Sequence, residues 1–266
     1  MITSNSNQKI KNVISLITSS KARKEQKKYV VEGIKMFLEA PLDLIDEIYV
    51  SESFIGSKES VESKNSLKPE AIKALSNSNY EVVTDQVFKK MSDTVSPQGI
   101  LCVIKKVDYK IEKLISNKDR LRILVLEGIQ DPGNLGTMIR TSEAAGFDFI
   151  LADKNTVDVY NTKVIRSTMG SVYRIPVLYT DDLLNGISIL KANGVFSYAA
   201  HLKGNKFFNE IEYSNKSAIY IGNEGKGLSD VISDTADVLV KIPMEGKVES
   251  LNAAVAASLM MFEVKR

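Results

Sequence analysis

The stretch 131-DPGNLGTMIRTSEAAG-146 follows 122-RILVLEGI-129, an apolar run of strand length rich in β-branched residues. A strand, a glycine-bearing turn and a helix together suggest a phosphate cradle. Here the glycines are Gly133 and Gly136, with Asn134 between them and Arg140 one turn into the helix. A dinucleotide fingerprint needs three glycines and, about 20 residues on, an acidic partner in the right context. This stretch has only GxxG, which argues against a nicotinamide cofactor. No Gly-Lys-Ser/Thr follows, so it is not a nucleoside-triphosphate loop either.

Working outward, strands are predicted at 122–129, 147–152, 195–200, 217–222 and 238–243, with helices between them. That alternation predicts a parallel sheet with helices on both faces. Two further segments combine glycines with polar residues at strand ends. In 221-IGNEGKGLS-229 three glycines surround Asn223 and Glu224. Glycines there let the backbone approach a ligand closely or take positive φ. The other segment, 242-IPMEGKVESLNAAVAASLMMFE-263, leads into a helix starting near Ser250, a good N-cap. Leu251, Val255, Leu259 and Phe262 form a stripe on it, yet its other side is apolar too, as expected of a helix buried in a core or a subunit interface. Ligands of open α/β sheets bind beyond the carboxyl ends of the strands. All three segments follow strands, so they are expected to converge on one site.

The first part of the chain reads as a separate small α/β unit. A basic helix (6–27) leads to a strand at 29–33, and further strands are predicted at 46–51, 80–84 and 99–106. The polar run 56–68 reads as loop or helix edge, and 107–120 as a connection. The expected boundaries are 1–110, a linker 111–120, and 121–266. Residues 1–40 hold eight Lys/Arg against three Asp/Glu, whereas 111–266 hold eighteen against nineteen. A basic front on a near-neutral body points to an anionic partner such as nucleic acid. Lys21, Arg23, Lys24, Lys27 and Lys28 are expected to form a phosphate-binding strip along two helical turns.

Across 266 residues, 44% hydrophobic and 26% charged content is that of an ordinary soluble globular protein. No apolar run approaches the ~18 residues of a membrane span, and MITSNSNQKIK lacks a signal-peptide core. Cys102 is the one cysteine and His201 the one histidine, which rules out an intrachain disulfide and argues against a metal site. The cytoplasm is the expected compartment. His201 reads as a structural or surface residue.

In order and spacing, NLGTMIRTSEAAG, IGNEGKGLS and IPMEGKVESLNAAVAASLMMFE resemble the motifs of the SpoU/TrmH family of SPOUT-class RNA 2′-O-ribose methyltransferases. The resemblance covers about 121–266. The stretch 21-KARKEQKKYVVEG-33 resembles the ribosomal-protein-like RNA-binding domain of the 23S rRNA-modifying branch. Short tRNA-modifying members usually lack it, which favours rRNA over tRNA.

The resemblance implies an α/β fold in which a small RNA-binding domain precedes a SPOUT domain with a C-terminal deep trefoil knot. It implies S-adenosylmethionine as cofactor, held largely by backbone groups at Gly222, Ile242 and Leu251, with no metal. A bulky side chain at Gly222 should then close the pocket. It also implies an RNA substrate and a homodimer formed through the knotted domain; Met261→Glu should weaken that dimer if Met261 is exposed and unfold the protein if it is internal core. Arg140 matches the family's essential arginine. A guanidinium stays protonated in proteins, so Arg140 is expected to grip RNA phosphate and polarise the 2′-hydroxyl. Asn134 and Glu224 would fix Arg140 and its loop, and Ser250 and Asn252 would hydrogen-bond near the nucleotide. The rival readings are a catalytically silent RNA-binding or assembly factor on the same scaffold and a nucleotide-dependent oxidoreductase.

Overall fold

The computed structural model describes residues 1–56 and 67–265, so most of the polar run read as loop at 56–68 lies outside the described residues. The chain divides into two compact units, Met1–Val107 with Tyr160–Tyr173, and Asp108–Val159 with Arg174–Arg266.

In the first unit the chain runs α1 (Gln8–Thr18), α2 (Ser20–Gln26), β1 (Lys28–Glu32), α3 (Ile34–Glu39), β2 (Ile45–Ser51), α4 (Glu52–Gly56), α5 (Lys68–Leu75), β3 (Glu81–Val83), α6 (Asp85–Met91) and β4 (Ile100–Lys105). Its sheet has the order β1-β4-β2-β3, antiparallel except for β2–β3. Ile10, Val13 and Leu16 of α1 pack with Val30, Tyr49 and Phe88 in one buried core.

The basic helix expected over 6–27 is two helices. Ser19 sits in extended backbone; its N–H closes α1 on Ser15 O, and its hydroxyl accepts from Ala22 N to open α2. A serine in this position offers the backbone an alternative to continuing the helix. α2 then ends at Lys27, a left-handed residue with φ 52°.

The second unit continues with α7 (Ile111–Ile115), inside the stretch read as a connection, then β5 (Leu121–Leu126), α8 (Pro132–Ala145) and β6 (Phe149–Asp153). α9 (Thr162–Thr168) follows, but by its contacts belongs to the first unit. There Thr162 Oγ1 and Arg166 donate to Asp93 at 2.6 and 3.2 Å, Tyr173 donates to Met36 O at 2.9 Å, and Tyr160 lies 4.3 Å from Tyr29, ring centre to ring centre. Back in the second unit come β7 (Val177–Thr180), α10 (Leu183–Ala192), β8 (Phe196–Ala200), β9 (Lys206–Phe207), β10 (Lys216–Ile221), α11 (Asp230–Ser233), β11 (Val238–Lys241) and α12 (Ala253–Lys265).

These strands form a sheet of order β7-β6-β5-β10-β8-β11-β9 in which every pairing is parallel. The chain steps outward from β5 to β7, crosses to β8, and returns to place β10 between β5 and β8. Such a reversal of strand order is where open α/β sheets bind ligands. It sets the loop after β5 beside the loop after β10, and the end of β8 beside the end of β11. No helix among the described residues is long and apolar enough to cross a membrane.

Candidate active site

The opening stretch is helix from Pro132 onward, not a glycine turn. Asp131 caps it by accepting from Asn134 N at 2.7 Å, Pro132 takes the first helical position, and Gly146 closes it with φ 72°. Gly133 and Gly136 therefore lie in the first turns of α8.

After β10 the chain turns back at once. Asn223 and Gly227 exchange backbone hydrogen bonds of 3.0 and 2.8 Å, making a small hairpin. The Asn223 side chain braces it, accepting from Gly225 N and Lys226 N and donating to Gly128 O at 2.7 Å in the loop after β5. Glu224 makes a second tie, accepting from Gln130 N, Asp131 N and Asn134 Nδ2 at 3.0–3.1 Å. Asn134 Oδ1 in turn accepts from Asn252 Nδ2 at 2.9 Å. Asn252 Oδ1 then receives Ala254 N and Val255 N. The cap of α12 is therefore Asn252, and not Ser250 as the sequence suggested. One chain of amides and a carboxylate thus links all three motif segments.

Partial burial pushes the Glu224 carboxyl up, but the donors from Asn134, Gln130, its own N–H and Asp131 more than offset this and hold it below the ordinary carboxylate value. A depressed folded-state value means the stabilisation is complete at neutral pH and is lost as pH falls through that value. The stability gap between wild type and Glu224→Gln is expected to be widest at neutral pH and to narrow as pH falls below the ordinary glutamate value of about 4.3. Calorimetry across pH would show it; a gap indifferent to pH would break the assignment.

Beyond the carboxyl ends of β8, β10 and β11 lies a cavity of about 370 Å³. Gly222, Ile242 and Leu251 all line it, as do Glu224 and Ser250. The walls outside the quoted segments are 200–203, at and after the end of β8, and Val240 and Lys241, at the end of β11. Their only signal was a place at or just beyond a strand's carboxyl end. The volume lies in the usual range for small-molecule sites, ~300–1,000 Å³. Leu228, Ile242 and Leu251 give an apolar side and Gly222, Gly225 and Gly227 expose main chain, a lining suited to an adenine-bearing ligand recognised through its backbone. S-adenosylmethionine fits these residues.

Arg140 does not join this cluster. It is exposed on α8 and, among the described residues, has no hydrogen-bond or ion-pair partner, so Asn134 and Glu224 order the loops and not the guanidinium. The lysine strip is also broken up. Arg23 is 4% exposed and donates to Leu16 O and Ile17 O, the open carbonyls at the end of α1. Lys28 lies in β1 with its ammonium 2.7 Å from Asp46. Lys21, Lys24 and Lys27 remain exposed. No cluster of His, Cys, Asp or Glu that could hold a metal occurs among the described residues.

On α12, Ala254, Ala257, Met260, Met261 and Val264 are buried, while Val255, Leu259 and Phe262 are 47%, 39% and 49% exposed. Met261 is fully buried, with Ser142 Oγ 3.4 Å from its sulfur, and so is core.

Comparison with known proteins gives a consistent picture. Residues 121–262 match the SpoU rRNA Methylase family, and residues 7–102 match the MRM3-like substrate binding domain. The chain is similar to the 23S rRNA (guanosine(2553)-2′-O)-methyltransferase RlmP of Bacillus subtilis, 35% identical over 69% of this chain and 71% of that protein. Among solved structures, the AdoMet-bound rRNA methyltransferase from Sinorhizobium meliloti superposes with a TM-score of 0.82 at 28% identity, covering 99% of this chain and 96% of that one. The SpoU methyltransferase AviRb from Streptomyces viridochromogenes shares the fold, with a TM-score of 0.81 at 21% identity over 97% of this chain and 96% of that one.

Proposed function

The chain belongs to the SpoU rRNA methylase family, and from that premise we propose that it methylates a ribose 2′-hydroxyl of 23S rRNA, using S-adenosylmethionine. The observation that carries this reading is the meeting of the second and third motif segments around one cavity beyond the carboxyl ends of β8, β10 and β11, with the first segment tied to both through Glu224, Asn134 and Asn252.

Bound S-adenosylmethionine supplies an electrophilic sulfonium methyl group. Backbone at Gly222, Ile242 and Leu251 would hold it, and the Glu224–Asn134–Asn252 chain keeps those walls in register. Arg140 grips the phosphate beside the target ribose with its planar fork and polarises the 2′-oxygen. Because the guanidinium stays protonated, it would not take the hydroxyl proton, which would pass instead to that phosphate or to water. Ser250, whose side chain has no partner among the described residues, is available to the nucleotide. The first unit docks RNA through Lys21, Lys24 and Lys27. The proposed compartment is the cytoplasm, which an rRNA substrate would suit.

Mapping 2′-O-methylation of rRNA and tRNA after incubation with the purified protein tests this. Modification of one 23S nucleotide is expected, and none in any RNA would sink the proposal. Neutralising Lys21, Lys24 and Lys27 together should flatten the salt dependence of RNA affinity by roughly one phosphate contact per lysine; an unchanged slope would move RNA docking elsewhere.

The exposed Val255–Leu259–Phe262 face supports a homodimer in which a second copy covers it. The same reading gives the segment after β11 the family's trefoil knot, and α12 does pack on α8 and β10, elements that precede β11. Arg140, detached from its own chain's cluster, then serves the partner's cavity. Leu259→Glu with Phe262→Glu should give a folded monomer of low activity by analytical ultracentrifugation and assay. A fully active wild-type monomer would refute it. Met261→Glu would instead unfold the core.

A further inference from the structure

Among the polar groups of the cavity wall that the proposed reaction leaves unused is the chain's only histidine. Its neighbours in that wall are already engaged: Asn223 spends both ends of its amide on the hairpin and Gly128, and Glu224 spends both oxygens on Gln130, Asp131 and Asn134. His201 differs. Its N–H donates to Val240 O at 2.9 Å, its carbonyl accepts from Gly204 N at 3.0 Å, and its ring Nδ1 accepts from Lys203 N at 3.1 Å.

Those contacts fix the ring's place and its tautomer. Gly204 is pressed so closely onto the adjacent strand that a Cβ there would fall 2.7 Å from Val240 C and 2.8 Å from Lys241 N. The turn 201–204 is therefore seated on β11 and cannot swing without breaking that packing. A neutral imidazole whose Nδ1 accepts a hydrogen bond carries its proton on Nε2. Nε2–H is thus an ordered donor on a cavity-lining residue, with no partner among the described residues. A half-buried donor gains from an acceptor supplied by a ligand.

We infer that His201 Nε2–H donates a hydrogen bond to bound S-adenosylmethionine, making His201 a cofactor-binding residue outside the three motif segments. Adenine nitrogens, ribose oxygens and the carboxylate of that cofactor are all acceptors of the required kind. The inference rests on the methyltransferase reading and concerns binding, not the chemical step.

Two near-isosteres separate this from a purely structural role. His201→Asn keeps an acceptor where Nδ1 serves Lys203 and removes the distal donor; His201→Gln does the reverse. Isothermal titration of the full-length variants with S-adenosylhomocysteine is expected to show affinity about 10-fold weaker for Asn, the size of one lost hydrogen bond, and near wild type for Gln. Thermal melts would establish that both are folded. The opposite order, or wild-type affinity for Asn, would show that the ring only braces its turn and overturn the inference. Wild-type protein that fails to bind S-adenosylhomocysteine would overturn the methyltransferase reading, and His201's role with it.

Discussion

Replacing Arg140 with alanine is expected to cut methyl transfer by about 100-fold or more while leaving stability and S-adenosylhomocysteine affinity at wild-type levels. The expectation follows from the isolation of the side chain. Arg140 is exposed and has no hydrogen-bond or ion-pair partner among the described residues, so its loss uncovers no buried group, and surface changes of this kind usually stay within ~0.5 kcal/mol. It does not line its own chain's cavity, and at the partner's it is expected to meet the RNA and not the cofactor. What remains for it is the RNA. Lysine should rescue poorly, because a point charge cannot reproduce a planar bidentate fork on phosphate. Single-turnover kinetics on the modified rRNA, beside calorimetric binding of S-adenosylhomocysteine, measure both halves. Near-wild-type turnover of Arg140→Ala would remove the residue from the mechanism, and a matching loss of cofactor affinity would relocate it to the cavity.

What could be read from the sequence was whatever depends on short range. β5, β10 and β11 are compact apolar runs, and the polar-glycine segments behind them could be placed at strand ends without knowing the strand order. Long-range partners decided the rest. β7 is only partly buried and β9 has two residues, so neither leaves a periodic signal. α12 is apolar on every side, so its sequence could not say that Met261 faces the core while Leu259 faces outward. Arg23 looks like one more basic residue until α1 ends at Thr18 and offers its carbonyls. The Asn134–Asn252 contact joins residues that no local pattern relates.

Domain limits show the same division. Composition separates a basic front from a neutral body, but Tyr160–Tyr173 packs with the first unit through Asp93, Tyr29 and Met36. A fragment starting at residue 111 would strand Tyr160, Thr162 and Arg166 without these neighbours. Tests of the separate roles of the units are therefore better made by point substitution in the full chain.

The second large effect is expected at Gly222, where alanine alone should abolish measurable cofactor binding. A Cβ there would lie 2.1 Å from Gly227 C and Leu228 N and 2.4 Å from Gly227 O. These are backbone atoms, so no side chain can swing aside. The overlap is with the hairpin and not with the cavity, which is why a larger residue such as valine is unnecessary. Relief requires opening the Asn223–Gly227 pair. That withdraws the Asn223 side chain from Gly128 and carries Glu224 away from Gln130, Asp131 and Asn134. One methyl group would therefore displace a wall of the cavity and loosen the tie to α8 and α12. Affinity for S-adenosylhomocysteine is expected to fall beyond about 100-fold, and stability by roughly 2–4 kcal/mol, at the upper end for single substitutions. Gly225 is the control for the hairpin: a Cβ there meets only Asn223 Oδ1, at 3.6 Å, so Gly225→Ala should leave the hairpin closed and stability near wild type. Titration calorimetry and melting curves on both variants decide the matter. A folded Gly222→Ala protein with wild-type affinity would mean that the hairpin does not bound the cofactor site.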